Sequence, residues 1–152
     1  MILGPAATAP EFELPNQFGQ PVRLAGFRDR RAVVLVFFPL AFSRTCQGEL
    51  DELRDHAGLF DTAGAELLAA SVDSKHALRA WGEERGYRFP LLADFWPHGA
   101  VARSYAAYSE TRGTANRATF LIGADGVIRA SFATTPGVAR TIGQYRDALR
   151  AL

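Results

Sequence analysis

The chain has 152 residues, a size at which one domain buries roughly 68–70% of its unfolded surface, so residues 1–152 are read as a single domain. A hydrophobic fraction of 48% against 22% charged residues excludes a disordered chain and describes a soluble globular one. A formal net charge of +1 gives no field for nucleic acid or an acidic bilayer, and neither is expected as a partner.

No apolar run approaches the ~20 residues of a membrane span. The opening stretch, Met1 to Leu14, lacks the basic and apolar regions of a signal peptide. The only cysteine, Cys46, cannot form an internal disulfide, which fits a reducing compartment, and the cytoplasm is the expected location. Sixteen Arg stand against one Lys, Lys75, a bias that makes the Arg total uninformative; each Arg is weighed by its position.

In chain order, Glu11 to Leu14 and Pro21 to Leu24 alternate polar and apolar residues around a turn-forming segment. Phe12, Leu14, Val22 and Leu24 would share the buried face of a β-hairpin. Ala32 to Phe38 is an unbroken apolar run rich in Val and Phe, the pattern of a strand covered on both faces. It stops at Pro39. From Ser43 the period becomes helical, with Cys46, Leu50, Leu53 and Ala57 on one stripe, and Ser43 as a candidate N-cap.

Glu66 to Val72 predicts a second buried strand, and Ser74 to Arg85 a helix capped by Ser74 and stopped by Gly86. Phe89 to Leu92 is short and carries Pro90, which suits a sheet edge. Phe95 to Gly99 is an aromatic loop, Ala100 to Tyr108 a short helix, and Ser109 to Asn116 a loop. Ala118 to Ile122 and Val127 to Phe132 flank the turn Ala124-Asp125-Gly126. A last helix covers Thr141 to Leu149, its stripe formed by Tyr145, Ala148 and Leu149. This order predicts an α/β fold of the thioredoxin-like kind: a central mixed sheet, helices on both faces and an N-terminal hairpin.

A lone cysteine at helical spacing is most often a small core residue. Three features favour chemistry for Cys46. It stands in a first helical turn, where free N–H groups favour an anion. It follows the end of a central strand, where ligands bind in open α/β sheets. Its lead-in is fixed by Pro39 and offers the Ser43 hydroxyl. A helix terminus supplies only about 0.3–1 kcal/mol, so a nearby cation must do most of the work of holding a thiolate. Arg44 is close in sequence but two residues along a helix points elsewhere. Arg117 begins the strand to Ile122, and if that strand runs antiparallel beside Ala32 to Phe38, Arg117 meets Cys46.

Pro39-x-x-x-Ser43-x-x-Cys46, with Glu49 three residues on, resembles the active-site motif of the peroxiredoxins. The resemblance continues through Ala9-Pro10-Glu11-Phe12, Val34 to Pro39 and Arg117 to Ile122, and so covers nearly the whole chain. Phe37 to Phe42, Cys46 to Asp51 and Asp94 to Val101 are similar to the alkyl hydroperoxide reductase E subgroup of one-cysteine members. Ser43, where the family more often has Thr, lacks the methyl that restricts the side-chain rotamer.

What the resemblance implies is reduction of hydrogen peroxide or an organic hydroperoxide through a Cys46 sulfenic acid, with no cofactor and no metal. Cys46, Arg117, Ser43 and Pro39 would be catalytic, Glu49 would orient an Arg, and Ala41 and Phe42 would line the peroxide site. An external thiol would recycle Cys46, mycothiol with mycoredoxin by the subgroup analogy, and the chain would be a homodimer. Phe42, Phe95 or Trp96 would serve the dimer contact, an apolar peroxide site or simply the core. Acidity alone is not enough. Lowering a thiol pKa from ~8.5 to ~6 raises its thiolate fraction near neutral pH only about thirteen-fold, while nucleophilicity falls.

Two other chemistries use the same residues. A Cys–His hydrolase would need His56, His76 or His98, of which only His98 in its aromatic loop is a serious candidate. No Cys-x-x-Cys or His-Glu-x-x-His pattern is present. A peroxide-sensing thiol switch needs the same reactive Cys46 without efficient turnover, and sequence separates it poorly from a peroxidase.

Overall fold

A computed structural model describes residues 1–152. The apolar runs become strands because seven and six successive buried residues leave no polar stripe for a helix. β3 (Ala32–Phe37) and β8 (Arg117–Ile122) are buried at every position. They pair antiparallel, Val33 opposite Ile122 and Phe37 opposite Ala118. On its other side β3 pairs parallel with β4 (Ala65–Ser71), which pairs parallel with the short edge strand β5 (Leu91–Ala93). β9 (Ile128–Thr134) closes the opposite edge against β8, giving the order β5-β4-β3-β8-β9.

Side chains alternate across this mixed sheet and divide the core in two. Val34, Val36 and Phe38 face one layer with Leu50 and Leu53 of α1 (Arg44–Asp55), Phe60 of α2 (Ala57–Thr62), Leu78 and Trp81 of α3 (Lys75–Arg85) and Tyr145 of α5 (Ile142–Leu149). Val33, Leu35 and Phe37 face a second layer with Ala102 of α4 (Ala100–Ser104), Tyr105 and the N-terminal segment. That segment carries the hairpin β1 (Glu13–Pro15) and β2 (Pro21–Arg23), with Phe12, Leu14 and Leu24 buried and Val22 half-buried. The architecture is the thioredoxin-like plan expected from the element order. No helix is long and apolar enough to cross a membrane.

Local signals set most boundaries. Ser74 Oγ accepts from Ala77 N–H, and Gly86 ends α3 in the left-handed region at φ 73°. Thr141 and Gln144 form a reciprocal capping box at α5. Three expectations need correction. The helix expected over Ala100 to Tyr108 stops at Ser104, because Tyr105 turns into the core and Ala106 takes φ 56°. Tyr108–Ser109 then forms β6, which pairs with β7 (Thr114–Ala115) inside the stretch read as a loop. Two-residue strands are too short to leave a period in the sequence. The helical stripe through Ala57 is also broken at His56, whose φ of −118° separates α1 from α2.

Leu50 is fully buried on the face of α1 that meets the sheet. Leu50→Ala is expected to lower unfolding free energy by about 2–5 kcal/mol, measured by urea denaturation.

Candidate active site

The site forms where β3 ends and β8 begins. β3 leads through Pro39, half-buried, into a turn at Ala41 and Phe42 and then into α1. Cys46 is the third residue of α1 and has 0% exposure. Because β8 runs antiparallel to β3, its first residue lies beside the exit of β3. Arg117, Thr119 and Leu121 alternate onto the α1 face of the sheet, so Arg117 reaches α1 directly.

Arg117 is 5% exposed and makes three contacts. Its Nη1 donates to Cys46 Sγ at 3.3 Å and to Glu49 Oε1 at 2.7 Å, and its Nε donates to the Pro136 carbonyl at 2.7 Å. Nη2 makes no hydrogen bond within the protein and is not a buried orphan. Glu49 thus stands one helical turn from Cys46 on the same face, bonded to the Arg that meets the sulfur.

A fourth residue completes the cluster, and sequence reasoning missed it. Arg140, its side chain at 0% exposure, holds both Glu49 oxygens: Nε to Oε2 at 2.8 Å and Nη2 to Oε1 at 2.9 Å, with its backbone N–H on Oε2 at 2.7 Å. Its Nη1 donates to Thr119 Oγ1 at 3.1 Å, and that hydroxyl lies 3.2 Å from Tyr145 Oη. Arg140 sits between a Pro-Gly break and a helix cap, in a stretch without period, so nothing local marks it as buried. The one available signal was arithmetic: a buried Glu beside a reactive thiol calls for more than one cation.

Burial alone would push the Glu49 carboxyl up. The hydrogen bonds and charge of Arg140, with the charge of Arg117, outweigh it and hold the group below its ordinary value. Two guanidinium groups against one carboxylate leave one positive charge uncompensated while Cys46 is a neutral thiol. A thiolate balances the cluster.

The start of α1 adds further donors. Ser43 occupies the N-cap position in extended geometry, but its hydroxyl donates to the Leu40 carbonyl at 2.8 Å and caps nothing. Of the two partners that the family resemblance implies for the Ser43 hydroxyl, the sulfur and the attacked oxygen, the sulfur is not hydrogen-bonded to it. The first backbone bond of α1 runs from Gln47 N–H to the Ser43 carbonyl, which leaves the N–H groups of Arg44, Thr45 and Cys46 without an acceptor. An unsatisfied helix start beside an uncompensated positive charge is an anion site.

The turn before it is strained. Phe42 takes φ 66°, a region costly for any residue with a Cβ, of order 1–3 kcal/mol. Ala41 N–H donates to Asp73 Oδ2 at 2.8 Å, and Ser71 Oγ donates to the same oxygen at 2.6 Å. The Phe42 ring, half exposed, packs 6.1 Å from the ring of Trp81. Trp81 Nε1 donates to Gln47 Oε1 at 3.1 Å, which ties α1 to α3.

Other sequence candidates lie apart from Cys46. His98 is hydrogen-bonded through Nε2 to the Gly113 carbonyl at 2.7 Å and packs edge-on to Tyr108, with no bond to the sulfur. His56 interacts with Glu52 on its own helix. No His is in place to act as base for Cys46. Arg44 is exposed and makes no ion pair with the cluster. Phe95 and Trp96 are exposed, Trp96 at 81%.

The chain as a whole is similar to several known proteins. Residues 5–131 match the AhpC/TSA family. Alkyl hydroperoxide reductase E of Mycobacterium tuberculosis is 46% identical over 151 residues, which covers 99% of each chain. The crystal structure of peroxidoxin BcpB from Mycobacterium tuberculosis superposes with a TM-score of 0.86 at 27% identity, over 99% of this chain and 98% of that one. Enterococcus faecalis AhpC superposes with a TM-score of 0.85 at 26% identity, over 99% and 92%.

The Glu49 ion pairs carry an acid limit. Because its carboxyl titrates lower in the folded state than its ordinary value of 4.5, its contribution is fully present above that pH and lost as pH falls through the folded value. Glu49→Gln is expected to cost about 3–5 kcal/mol at neutral pH, since it strands two buried cations, and to flatten the acid limb of stability. Urea unfolding across pH 3 to 7 measures both.

Proposed function

The chain belongs to the AhpC/TSA family and is a thiol peroxidase, and from that premise we propose that it reduces hydrogen peroxide and organic hydroperoxides by a one-cysteine mechanism. The observation that carries the reading is Cys46 Sγ accepting a hydrogen bond from Arg117 Nη1 at an uncapped helix start.

In the proposed reaction the Cys46 thiolate attacks one peroxide oxygen. The S–O bond forms as the O–O bond breaks, the sulfur is oxidised by two electrons, and the second oxygen leaves as water or an alcohol after taking a proton. The N–H groups of Thr45 and Cys46 hold the peroxide, and Arg117 Nη2 donates to the oxygen on which charge develops. Such donors, fixed before reaction, are worth about 10²–10³ in rate each. Ser43, already donating to Leu40, offers a lone pair to the hydroxyl of the peroxide. Pro39 shields the resulting sulfenic acid, and Ala41 and Phe42 form the apolar lip.

One cysteine leaves no internal group to resolve a sulfenic acid. An external thiol therefore condenses with it, releasing water and forming a mixed disulfide, and a second thiol reduces that disulfide. Mycothiol with mycoredoxin is the proposed pair by likeness to the E subgroup. The exposed Leu40, Phe42, Phe95 and Trp96 support a homodimer contact on this end of the molecule, and the single free thiol supports a cytoplasmic location.

Stopped-flow oxidation of Cys46 by hydrogen peroxide and by a fatty-acid hydroperoxide tests the reading, with Cys46→Ser as the blank. Oxidation no faster than that of a free thiol rejects it. Arg117→Ala is expected to slow the reaction by about 100-fold or more, beyond what the accompanying change in thiolate fraction explains. Ultraviolet titration of the thiolate in the same variant separates the two contributions.

A further inference from the structure

We infer that Asp73 is a positioning residue that clamps the strained turn over Cys46, an inference that rests on the peroxidase reading above. The turn runs from Leu40 to Ser43, with Phe42 at its third position in the left-handed region and Ala41 outside it. A left-handed residue at the third position of a turn is ordinarily Gly or Asn, where this chain has Phe. A side chain held in an unfavourable backbone region stays there only if its surroundings over-determine it.

Here the surroundings are few. The Ser43 hydroxyl closes the turn onto the Leu40 carbonyl. The Phe42 ring rests on Trp81 but is half exposed. Ala41 packs on the apolar core, and the turn's hydrogen bond beyond its own residues goes to Asp73 Oδ2, which accepts from Ala41 N–H and from Ser71 Oγ. Ser71 is fully buried at the end of β4 and also accepts from Asp73 N–H at 3.2 Å, so the carboxylate is itself fixed from both sides. Asp73 touches neither Cys46 nor Arg117. It acts through the turn, setting where Ser43 and the first N–H groups of α1 stand.

Two reactions at the same sulfur respond to this clamp in opposite directions. Peroxide reduction needs donors in place, and a misplacement of about 1 Å costs on the order of 100-fold. Alkylation by a bulky reagent uses the same thiolate but has no leaving oxygen for donors to stabilise, so access limits it, and Cys46 is sealed at 0% exposure with the turn closed. Both hydrogen bonds fall on one oxygen, so an amide carbonyl can carry them.

The experiment measures, for each variant, the rate constant for oxidation by hydrogen peroxide and that for alkylation by N-ethylmaleimide, with circular dichroism to confirm folding. Asp73→Ala is expected to lower the first by about 10- to 100-fold and raise the second several-fold. Asp73→Asn is expected to restore both. Rates that move together, rates that do not move, or an Asn variant that behaves as Ala overturn the inference. If Asp73→Ala alone folds poorly, the same comparison in a Phe42→Gly background decides, because glycine removes the strain that the clamp opposes. An undiminished effect of Asp73→Ala there also overturns it. A wild-type protein that reacts with peroxide only at the free-thiol rate rejects the peroxidase reading instead, and the maleimide rates still report whether Asp73 seals the turn.

Discussion

A carboxylate gripped between two buried guanidinium groups is the constraint on which the rest of this site depends. Glu49 takes hydrogen bonds from Arg117 on one side and from Arg140 on three others, all from groups nearly or wholly removed from water. Burying three charges is expensive, and replacing such a cluster by apolar residues is often neutral or stabilising. Its persistence is therefore poor evidence for stability and good evidence for a task. In the proposed reaction that task is to keep a positive charge at the sulfur, on a guanidinium whose Nε is committed to Pro136.

That cluster also explains why the surrounding elements have the form they do. The antiparallel pairing of β3 with β8 brings Arg117 to α1. Thr119, two positions along β8 and therefore on the same face, supports Arg140, and Tyr145 of α5 stands behind Thr119. A line of polar contacts thus runs from the last helix to the sulfur through the apolar layer of the core. Its polar groups satisfy one another, which is the condition under which a polar network in a core is tolerable.

Much of this was legible in the sequence. The long apolar runs gave the central strands because burial on both faces leaves a signature that does not depend on tertiary detail. Cys46 and Arg117 could be brought together because strand direction carries the second to the first, whereas Glu49 joined them only through the motif resemblance, its helical period setting it off the apolar stripe. Arg140 could not, since its burial is decided by Glu49 rather than by its neighbours in the chain. Asp73 was hidden for a related reason: an Asp between a strand and a helix reads as an ordinary turn former, and only the fold shows that it faces the loop before α1. The short pair β6 and β7 was lost because two residues cannot show a period. The motif offers the Ser43 hydroxyl to the sulfur or to the attacked oxygen, and in the folded chain its proton goes to the nearby Leu40 carbonyl instead of the sulfur.

The sequence separation within the site has a consequence for how the protein is made. Arg117 lies 71 residues after Cys46, and Arg140 lies 91 after Glu49. During synthesis the thiol leaves the ribosome long before either guanidinium, and domains fold as units only when their strands are available. Until β8 has paired with β3, α1 can already pack on β3, β4 and α3, but Cys46 has no guanidinium beside it. The cation of the proposed site is thus supplied only once β8 has been made, and a chain that stops short of it carries the thiol without the group proposed to act on peroxide.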